Sequence, residues 1–274
     1  MGFLIGGLVI AVVGVILWIV MGKRAGKAAV LDLTDTSRVS DVNENYESTV
    51  NSMGANNFTH FCEVKGQAHA DSPLKSDLAE ADCVYFSSKV VHEYKVKERR
   101  KDANGNYQTK WVNKTETVSE NSQWANGWGV KDDSGFIAVN AAKSELHTEQ
   151  LFSNFEQGEP NQNGGLNVKI GNFSLGIGGG NNDYKTIGYR YTETGIKLGS
   201  NLYVLGDAND RDGSLVISKP TDKKQPFIVS TKSEDELMSG LGSAVKGFKI
   251  GAFACWGVGG ILAVVGLLKI AGVM

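Results

Sequence analysis

Two long apolar runs, one at each end of the 274-residue chain, constrain its fold more than any other feature. Residues 2–21 contain no charged side chain. A helix of that length, at about 1.5 Å per residue, reaches roughly 30 Å, the thickness of a bilayer core. Residues 250–268 are also free of charge. The sequence therefore predicts two transmembrane α-helices that flank a soluble domain.

The first run has a rival interpretation as a cleaved signal peptide. A signal peptide normally carries positive charge ahead of its apolar region, and residues 1–7 carry none. The positive charges follow the run instead, and the run is long for a signal peptide. We therefore interpret it as a retained membrane span.

The charges beside the two runs predict an orientation. Only Lys269 lies on the outer side of the runs, and five other cations lie on the side of the central domain. The positive-inside rule then places the domain in the cytoplasm, with a periplasmic location as the alternative. The five cations are Lys23, Arg24, Lys27, Lys246 and Lys249.

Small residues recur every four positions along the second run. A helix face of small residues lets another helix approach closely, and Gly2, Gly6 and Gly14 offer the same in the first run. Two interpretations stay open, because the spans can pack against each other or the chain can self-associate into a dimer or larger ring. The predicted packing face consists of Gly247, Gly251, Cys255, Gly259 and Ala263.

The polar sequence between the runs has the pattern of β-strands. Val84, Phe86 and Val90 alternate with polar residues, which is typical of a half-buried strand. Asn104-Gly105 is a hairpin turn signal. Further short candidate strands, separated by glycine and asparagine, indicate a mostly β domain with an antiparallel barrel-like or sandwich-like fold. We expect buried side chains at Val84, Phe86, Val90, Tyr191, Val204, Phe227 and Val229.

The same signals predict the domain organisation. Ser233 and Glu236 have the spacing of a capping box, so a helix is expected to begin there and to lead into the second span. Residues 28–56 have few apolar side chains and indicate a helix or a stalk. The predicted segments are a transmembrane helix (1–22), a linker (23–56), a β-rich domain (57–232), a juxtamembrane helix (233–249) and a second transmembrane helix (250–274).

Charge and motif content argue against several functional classes. The formal net charge of −2 does not suit nucleic-acid binding. The four histidines have no metal-ligand spacing, and no Cys-x-x-Cys pair is present for a zinc site. Asp207, Asn209, Asp210 and Asp212 match a calcium loop only in part, so we expect a solvated hairpin turn there. The sequence predicts no cofactor and no metal.

The cysteines leave two interpretations open. Cys62 and Cys83 could pair in an oxidising compartment, or they are buried free thiols, which the predicted cytoplasmic orientation favours. A catalytic Cys83 thiolate is a further hypothesis, which requires exposure and a lowered pKa. Catalytic groups of other kinds are not indicated.

Two groups of short motifs carry a family resemblance, and they consist of residues 64–66, 72–76 and 83–86, and of residues 189–193, 199 and 203–206. In order and spacing these motifs resemble the GIDE-domain family. This domain lies between the two membrane spans of the MULAN-type mitochondrial E3 ubiquitin ligases and also occurs in many bacterial proteins. The resemblance covers about residues 57–245 and implies a bacterial inner-membrane protein. Seven motif residues are carried over, with a structural or an interaction role: Pro73, Leu74, Ser76, Cys83, Tyr85, Glu193 and Gly206.

The resemblance also carries functional expectations. In those ligases a zinc-binding RING finger performs ubiquitin transfer, and this sequence lacks the cysteines for one, so it resembles a RING-less member. We expect a membrane-anchored, non-catalytic binding, sensing or scaffold module that has the bilayer and a protein as partners and self-associates through its spans. The alternative is an accessory component of a ubiquitin-ligase-like or defence pathway whose effector is another chain. The mitochondrial relatives hold the domain in the intermembrane space, which agrees with the periplasmic alternative.

Overall fold

A computed structural model describes residues 2–101, 103, 105–158, 165–170, 173–178 and 184–271. These residues form three helices, α1 (Gly2–Leu33), α2 (Val39–Met53) and α3 (Glu234–Ile270). The strands are β1 (Thr36–Ser37), β2 (Thr59–His69), β3 (Leu74–Lys75), β4 (Asp82–Lys101), β5 (Tyr107–Trp124), β6 (Gly129–Lys131), β7 (Phe136–Val139), β8 (Glu145–His147), β9 (Glu149–Gln157), β10 (Gly165–Ile170), β11 (Phe173–Gly178), β12 (Tyr184–Lys197), β13 (Asn201–Asn209), β14 (Val216–Ser218) and β15 (Ile228–Ser230).

Five strands close into a small barrel. The pairings run from β2 through β6, β7, β14 and β13 and return to β2. Strand β1 extends the barrel beside β2, and β15 with β8 extends it beside β13. The pairs β1–β2, β7–β14 and β8–β15 are parallel, and the other pairs of this sheet are antiparallel. The prediction of a mostly β, barrel-like domain between two apolar helices is confirmed.

The barrel interior holds the main hydrophobic core. Its walls contribute Val64, Val130 and Val204, and α2 closes it with Val39 and Val42. Residues 36–53, predicted to lie in a linker, thus form β1 and α2, and α2 packs into the domain core. All seven positions that the sequence predicted to be buried are buried.

A second sheet carries a long hairpin. Strand β4 pairs with β5 on one side and with β12 on the other, and β12 also pairs with β9. The last β12–β4 pair joins Tyr184 to Val96, whereas the β4–β5 pairing continues to Lys101 and Tyr107. Among the residues that the structure describes, the hairpin end is therefore two-stranded. Gly105, at this end, has a φ of 86°, but Asn104 of the predicted turn lies outside the described residues.

Helices α1 and α3 are long and apolar enough to cross a bilayer. Only 11% of the most apolar part of α1 and 17% of that of α3 is buried, whereas the core helix of a soluble protein is mostly buried. Helix α1 continues to Leu33, beyond the span predicted over residues 1–22. Its last turns bury Leu31 completely against the barrel, and this contact stabilises the extension.

The two apolar helices pack against each other along a seam of small residues. A Cβ atom on Gly7 would lie 2.7 Å from the Gly259 carbonyl oxygen, and one on Gly266 would lie 2.7 Å from the Leu4 nitrogen. Gly14 faces Trp256. The seam thus has contacts seven residues apart on each helix.

The predicted packing face overlaps this seam in part. Gly259 and Ala263 contact Gly7, and a Cβ on Gly251 would lie 3.4 Å from Leu17. Cys255 is partly buried. By contrast, a Cβ on Gly247, Gly2 or Gly6 would meet nothing within 4 Å. The chain's own helix pair therefore uses Gly7 and Gly14 of α1.

Candidate functional site

The C-terminal end of α1 and the N-terminal end of α3 pack against the outer face of the barrel, and we call this region the junction. The outward side chains of β13 and β15 pack there against both helices. Strands β2 and β13 are consequently buried on two faces, one toward the barrel interior and one toward the helices. The buried junction residues are Leu31, Tyr203, Leu205, Ile228, Leu237 and Leu241.

A fully buried carboxylate, Glu63, organises the polar part of the junction. It accepts hydrogen bonds from the Thr36 hydroxyl at 2.6 Å and from the Tyr203 hydroxyl at 2.8 Å. The Lys65 ammonium lies 2.9 Å from Glu63 and 2.7 Å from Glu234, in the first turn of α3. These five residues form the junction network. It links the segment after α1, two barrel strands and the start of α3.

The junction network perturbs the titration of two of its members. Burial acts to lower the pKa of Lys65, but hydrogen bonds to Glu234 and Glu63 outweigh it, and the pKa is raised. The pKa of Tyr203 is raised by burial and by its bond to the Glu63 carboxylate. Both residues therefore keep their protons at neutral pH and act as donors. The network ties the segment after α1, two barrel strands and α3 together through hydrogen bonds and ion pairs.

A second polar contact ties α1 to the barrel. Lys27 donates to Glu145 of β8 at 2.5 Å, and His147 lies 3.1 Å from the same carboxylate. Burial acts to raise the pKa of Glu145, but these two partners lower it. The Glu145 contribution to stability is present above its normal pKa and is lost as the pH falls through the lower folded-state value.

A cleft of about 920 Å³ opens beside the junction network. Its floor includes Gly66 and Leu202 of the barrel, and one wall is the N-terminus of α3, where the predicted capping box of Ser233 and Glu236 is present. A volume of this size suits a peptide segment or a small molecule. The charged lining residues are Lys65, Lys131, Asp132, Asp133, Lys232, Glu234, Asp235 and Glu236.

The family-motif residues lie outside the cleft lining and stabilise local structure. Glu193 is fully buried and accepts hydrogen bonds from the Leu78 and Ala79 amides. Ser76 accepts one from the Ala81 amide, so the loop between β3 and β4 is fixed at both ends. These contacts agree with a structural role for Ser76 and Glu193.

The remaining motif residues have packing contacts. Leu74 pairs with Cys83 across β3 and β4, and Pro73 directly precedes that short strand. Tyr85 stacks on Trp124 with ring centroids 4.1 Å apart. A Cβ on Gly206 would lie 2.8 Å from the Phe227 ring, so this position has room only for glycine.

Cys62 and Cys83 are buried free thiols on different sheets. Burial raises the pKa of Cys62 to about 12 and, with the negative charges of Glu193, Asp82 and Asp77, raises that of Cys83 to about 11. A catalytic thiolate needs exposure and a lowered pKa. Cys83 is instead buried, and its environment raises the pKa of the thiol.

We expect Cys62 and Cys83 of the folded chain to react with maleimide at least about 100-fold more slowly than in denaturant, because few thiolates form at these pKa values. Mass spectrometry after timed labelling at pH 8 measures both rates, and Cys255→Ala removes the third thiol. Rapid labelling of Cys83 in the folded protein would contradict this environment and restore the thiolate hypothesis.

His92 and the acidic loop have structural contacts. His92 stacks between Tyr94 and Tyr189, and burial lowers its pKa. Asp210 accepts hydrogen bonds from the Asn56 and Phe58 amides. No metal-binding group of three or more His, Cys, Asp or Glu side chains occurs within the described residues.

The prediction of a solvated turn at the acidic loop is wrong for three of its four residues. Asp207, Asn209 and Asp210 are buried. Asp207 contacts Arg211 at 2.7 Å, and Asn209 donates to the Ser218 hydroxyl at 2.8 Å. Hydrogen bonds and an ion pair to neighbouring segments thus replace the water that the turn prediction assumed.

Comparison with known families identifies the domain. A family model described as GIDE, E3 ubiquitin ligase, matches residues 95–266, more than half of the chain. The chain belongs to the GIDE family. The predicted resemblance is confirmed. The matched range includes Glu193 and Gly206, whereas the motif residues from Pro73 to Tyr85 precede it.

A curated relative of this GIDE-family chain is the E3 ubiquitin-protein ligase SPL1 of Arabidopsis thaliana, which is 27% identical over 202 residues. The match covers 73% of the chain and 54% of the relative, so the chain spans about half the length of that ligase. No solved structure matches. The comparisons therefore support a relation to E3 ubiquitin ligases through the GIDE domain.

The junction network was not predicted from the sequence. Glu63 and Lys65 lie two residues apart on a strand, a pattern that normally indicates a solvated face. One signal in the sequence could have revealed the network. Phe61 lies on the same strand face as Glu63, Leu205 lies on the same face as Tyr203, and both are apolar. This apolar character indicates that something covers the outer surface of these strands.

Proposed function

We propose that this GIDE-family chain is a membrane-anchored, non-catalytic binding module that receives a partner protein segment in the cleft beside the junction. The cleft carries the proposal, because it lies where the barrel meets the N-terminus of α3 and borders the junction network. If α1 and α3 cross the bilayer, they hold the cleft close to the membrane. Their exposed apolar faces and their packing against each other support two retained spans.

Polar contacts along the cleft suit a peptide backbone and mixed charges. Asp132, Asp133 and Glu234 already have partners in the chain, at Ser134, Arg38 and Lys65 respectively. In contrast, no ion pair within the described part of the chain uses Lys131, Lys232 or Asp235. Charges of both signs are thus available to a partner at the rim.

We expect a photo-crosslinking amino acid at Gln67, which is exposed at the cleft, to capture one defined partner in native membranes. The matched control places the same group at Gln150, an exposed residue of β9 outside the cleft. Mass spectrometry of the crosslinked product identifies the partner. Identical products from both positions, or none from either, would exclude the cleft as a binding site.

The alternative function is an accessory component of a ubiquitin-ligase-like pathway with its effector on another chain. The family description and the name of the relative support it. The purified chain would then leave an E2–ubiquitin thioester intact unless the second chain is added. Discharge of the thioester by this chain alone would contradict both hypotheses.

Two further features belong to this proposal. The cations on the domain side of the apolar helices support a cytoplasmic domain in a bacterial inner membrane. An impermeant maleimide should then label an Ala103→Cys variant only after permeabilisation.

Self-association would use small residues outside the intramolecular seam, such as Gly2 and Gly260, and crosslinking in membranes that yields monomer alone would contradict it.

A further inference from the structure

Within the described residues, the end of the β4–β5 hairpin continues beyond the last pair of β4 with β12, and we call residues 95–101 and 107–114 the arm. The sequence from 95 to 114 contains seven basic and two acidic residues, a net charge of +5 in a chain whose total is −2. The remainder of the chain is therefore acidic. A concentration of positive charge at the end of a hairpin is a candidate contact surface for an anionic partner.

The cations of the arm are unequally divided between its two faces. Residues two apart on a strand share a face, so Lys95, Lys97, Arg99 and Lys101 form one row. Cross-strand pairing joins Lys97 to Trp111 and Lys101 to Tyr107, which places both aromatic rings on the same face. We call this the basic face: Lys95, Lys97, Arg99, Lys101, Tyr107 and Trp111.

The opposite face is partly neutralised. Glu98, the only carboxylate within the described part of the arm, lies on that face and contacts Arg100 at 2.8 Å and Lys114 at 2.7 Å. Lys110 pairs across the strands with Glu98. On the basic face, Lys95, Arg99 and Lys101 contact no carboxylate within the described part of the chain.

The aromatic rings of the basic face are exposed beside the cations. Tyr107 is 58% exposed and Trp111 47% exposed. The Arg99 guanidinium lies 4.6 Å from the Tyr107 ring centroid, and the Lys97 ammonium lies 5.2 Å from that of Trp111. Exposed tyrosine and tryptophan next to basic side chains are the combination favoured at the headgroup level of a bilayer.

We propose that the basic face docks on a bilayer surface that carries anionic phospholipids. The cations of this face recur at intervals of about 7 Å or multiples of it along an extended hairpin and match a planar array of phosphates, and the rings can enter the interface. A chain held in a membrane by its apolar helices also meets such surfaces at high local concentration. This inference goes beyond the proposed function, because the arm and the cleft consist of different residues.

The test uses the full chain with an environment-sensitive fluorophore at Thr109→Cys, on the basic face, in a Cys255→Ala background. Cys62 and Cys83 are buried and do not compete for the label. The chain is reconstituted into nanodiscs of phosphatidylcholine with or without phosphatidylglycerol, and vesicles of either composition are added. We expect a blue shift only with phosphatidylglycerol, in the chain's own nanodisc or in the added vesicle.

Two charge-matched variants show whether the face or the total charge is responsible. Lys95→Gln/Arg99→Gln/Lys101→Gln should weaken the interaction roughly 100-fold, since each basic residue near an anionic surface contributes a factor of about five in affinity. The control variant removes the same charge from the opposite face. Because those side chains lie farther from the docked surface and are screened by salt, its loss of affinity should be less than about tenfold. The control substitutions are Arg100→Gln, Lys110→Gln and Lys114→Gln.

Three results would overturn the proposal. One is an equal loss of affinity in the two triple variants, and another is a blue shift that does not depend on phosphatidylglycerol. The third is a blue shift with polyglutamate in the absence of anionic lipid, which would assign the basic face to an acidic protein. Circular dichroism verifies that both variants remain folded, so a loss of binding cannot be attributed to unfolding.

Discussion

We expect the Glu63→Leu variant of the full chain to unfold about 10 °C below the parent protein in detergent. The substitution removes the acceptor for the buried Tyr203 hydroxyl and for Thr36, and it removes one of the two carboxylates that contact Lys65. Loss of one partner from a buried charged network typically costs about 3–5 kcal/mol. Each kcal/mol shifts the unfolding temperature of a domain of this size by about 2–4 °C. Circular dichroism measures the shift.

Two additional variants test whether the loss of stability comes from the hydrogen-bond network or from altered packing around position 63. Glu63→Gln keeps the shape but replaces one acceptor oxygen by a donor, and we expect less than half of the loss. Tyr203→Phe removes the donor of one bond. Hydrogen bonds to charged groups contribute about 1.5–3 kcal/mol, so the Glu63→Leu and Tyr203→Phe effects, each of which removes the bond, should be non-additive by about that amount. Strict additivity would show that the Glu63–Tyr203 bond contributes nothing to stability.

The destabilisation by Glu63→Leu should extend to the helices, because the junction network joins four parts of the fold. Thr36 follows α1, Glu63 and Tyr203 belong to barrel strands, and Glu234 begins α3. Loosening of this network would therefore change how the barrel sits on both apolar helices. The cleft borders the same residues, so partner binding and attachment of the domain share one set of contacts.

Local patterns were sufficient to predict much of the fold. Alternation of apolar and polar residues located β4 and its buried residues Val84, Phe86 and Val90. The capping box located the start of α3, where Ser233 accepts from the Glu236 amide. These features depend on neighbours within a few residues along the chain. They could therefore be predicted without knowledge of the tertiary structure.

The junction depends on contacts that no local pattern contains. A strand with one solvated face alternates, but the outer face of β13 is covered by α1 and α3, and its residues are buried on both sides. The carboxylate of Glu63 can be buried only because Tyr203 meets it from the paired strand β13 and Lys65 meets it from two residues along β2. Its donors are brought together by strand pairing and by the approach of α3, which the sequence pattern does not specify.

The seam between the apolar helices follows a seven-residue spacing, whereas the predicted packing face followed a four-residue spacing. Four residues turn a helix by about 400°, so each four-residue step drifts about 40° around the axis. From Gly247 to Ala263 the drift reaches about 160°, so these positions cannot all face one partner. A step of seven residues drifts only about 20°. Contacts between long antiparallel helices therefore recur at Gly7 and Gly14, and at Gly259 and Gly266.

The largest effect that we expect in the helix pair is separation of α1 from α3 by Gly7→Leu. A Cβ at this position would lie 2.7 Å from the Gly259 oxygen and 2.8 Å from the Ala263 nitrogen, both of which are backbone atoms that side-chain rotation cannot move. Relief of the overlap requires the helices to move apart by about 2 Å, within the range of interaxial distances that larger residues impose. Gly259→Leu should have the same effect from the other side.

Spin labels on the outward faces measure the separation. Leu8→Cys and Ile261→Cys are exposed positions for the labels, and Cys255→Ala removes the partly buried native thiol. We expect Gly7→Leu to lengthen and broaden the distance distribution. Gly6→Leu is the matched control, because a Cβ on Gly6 meets nothing within 4 Å, and its distribution should match that of the parent. An unchanged distribution in Gly7→Leu would mean that the helices do not pack through this seam in the bilayer, and the junction would then rest on the barrel contacts of each helix alone.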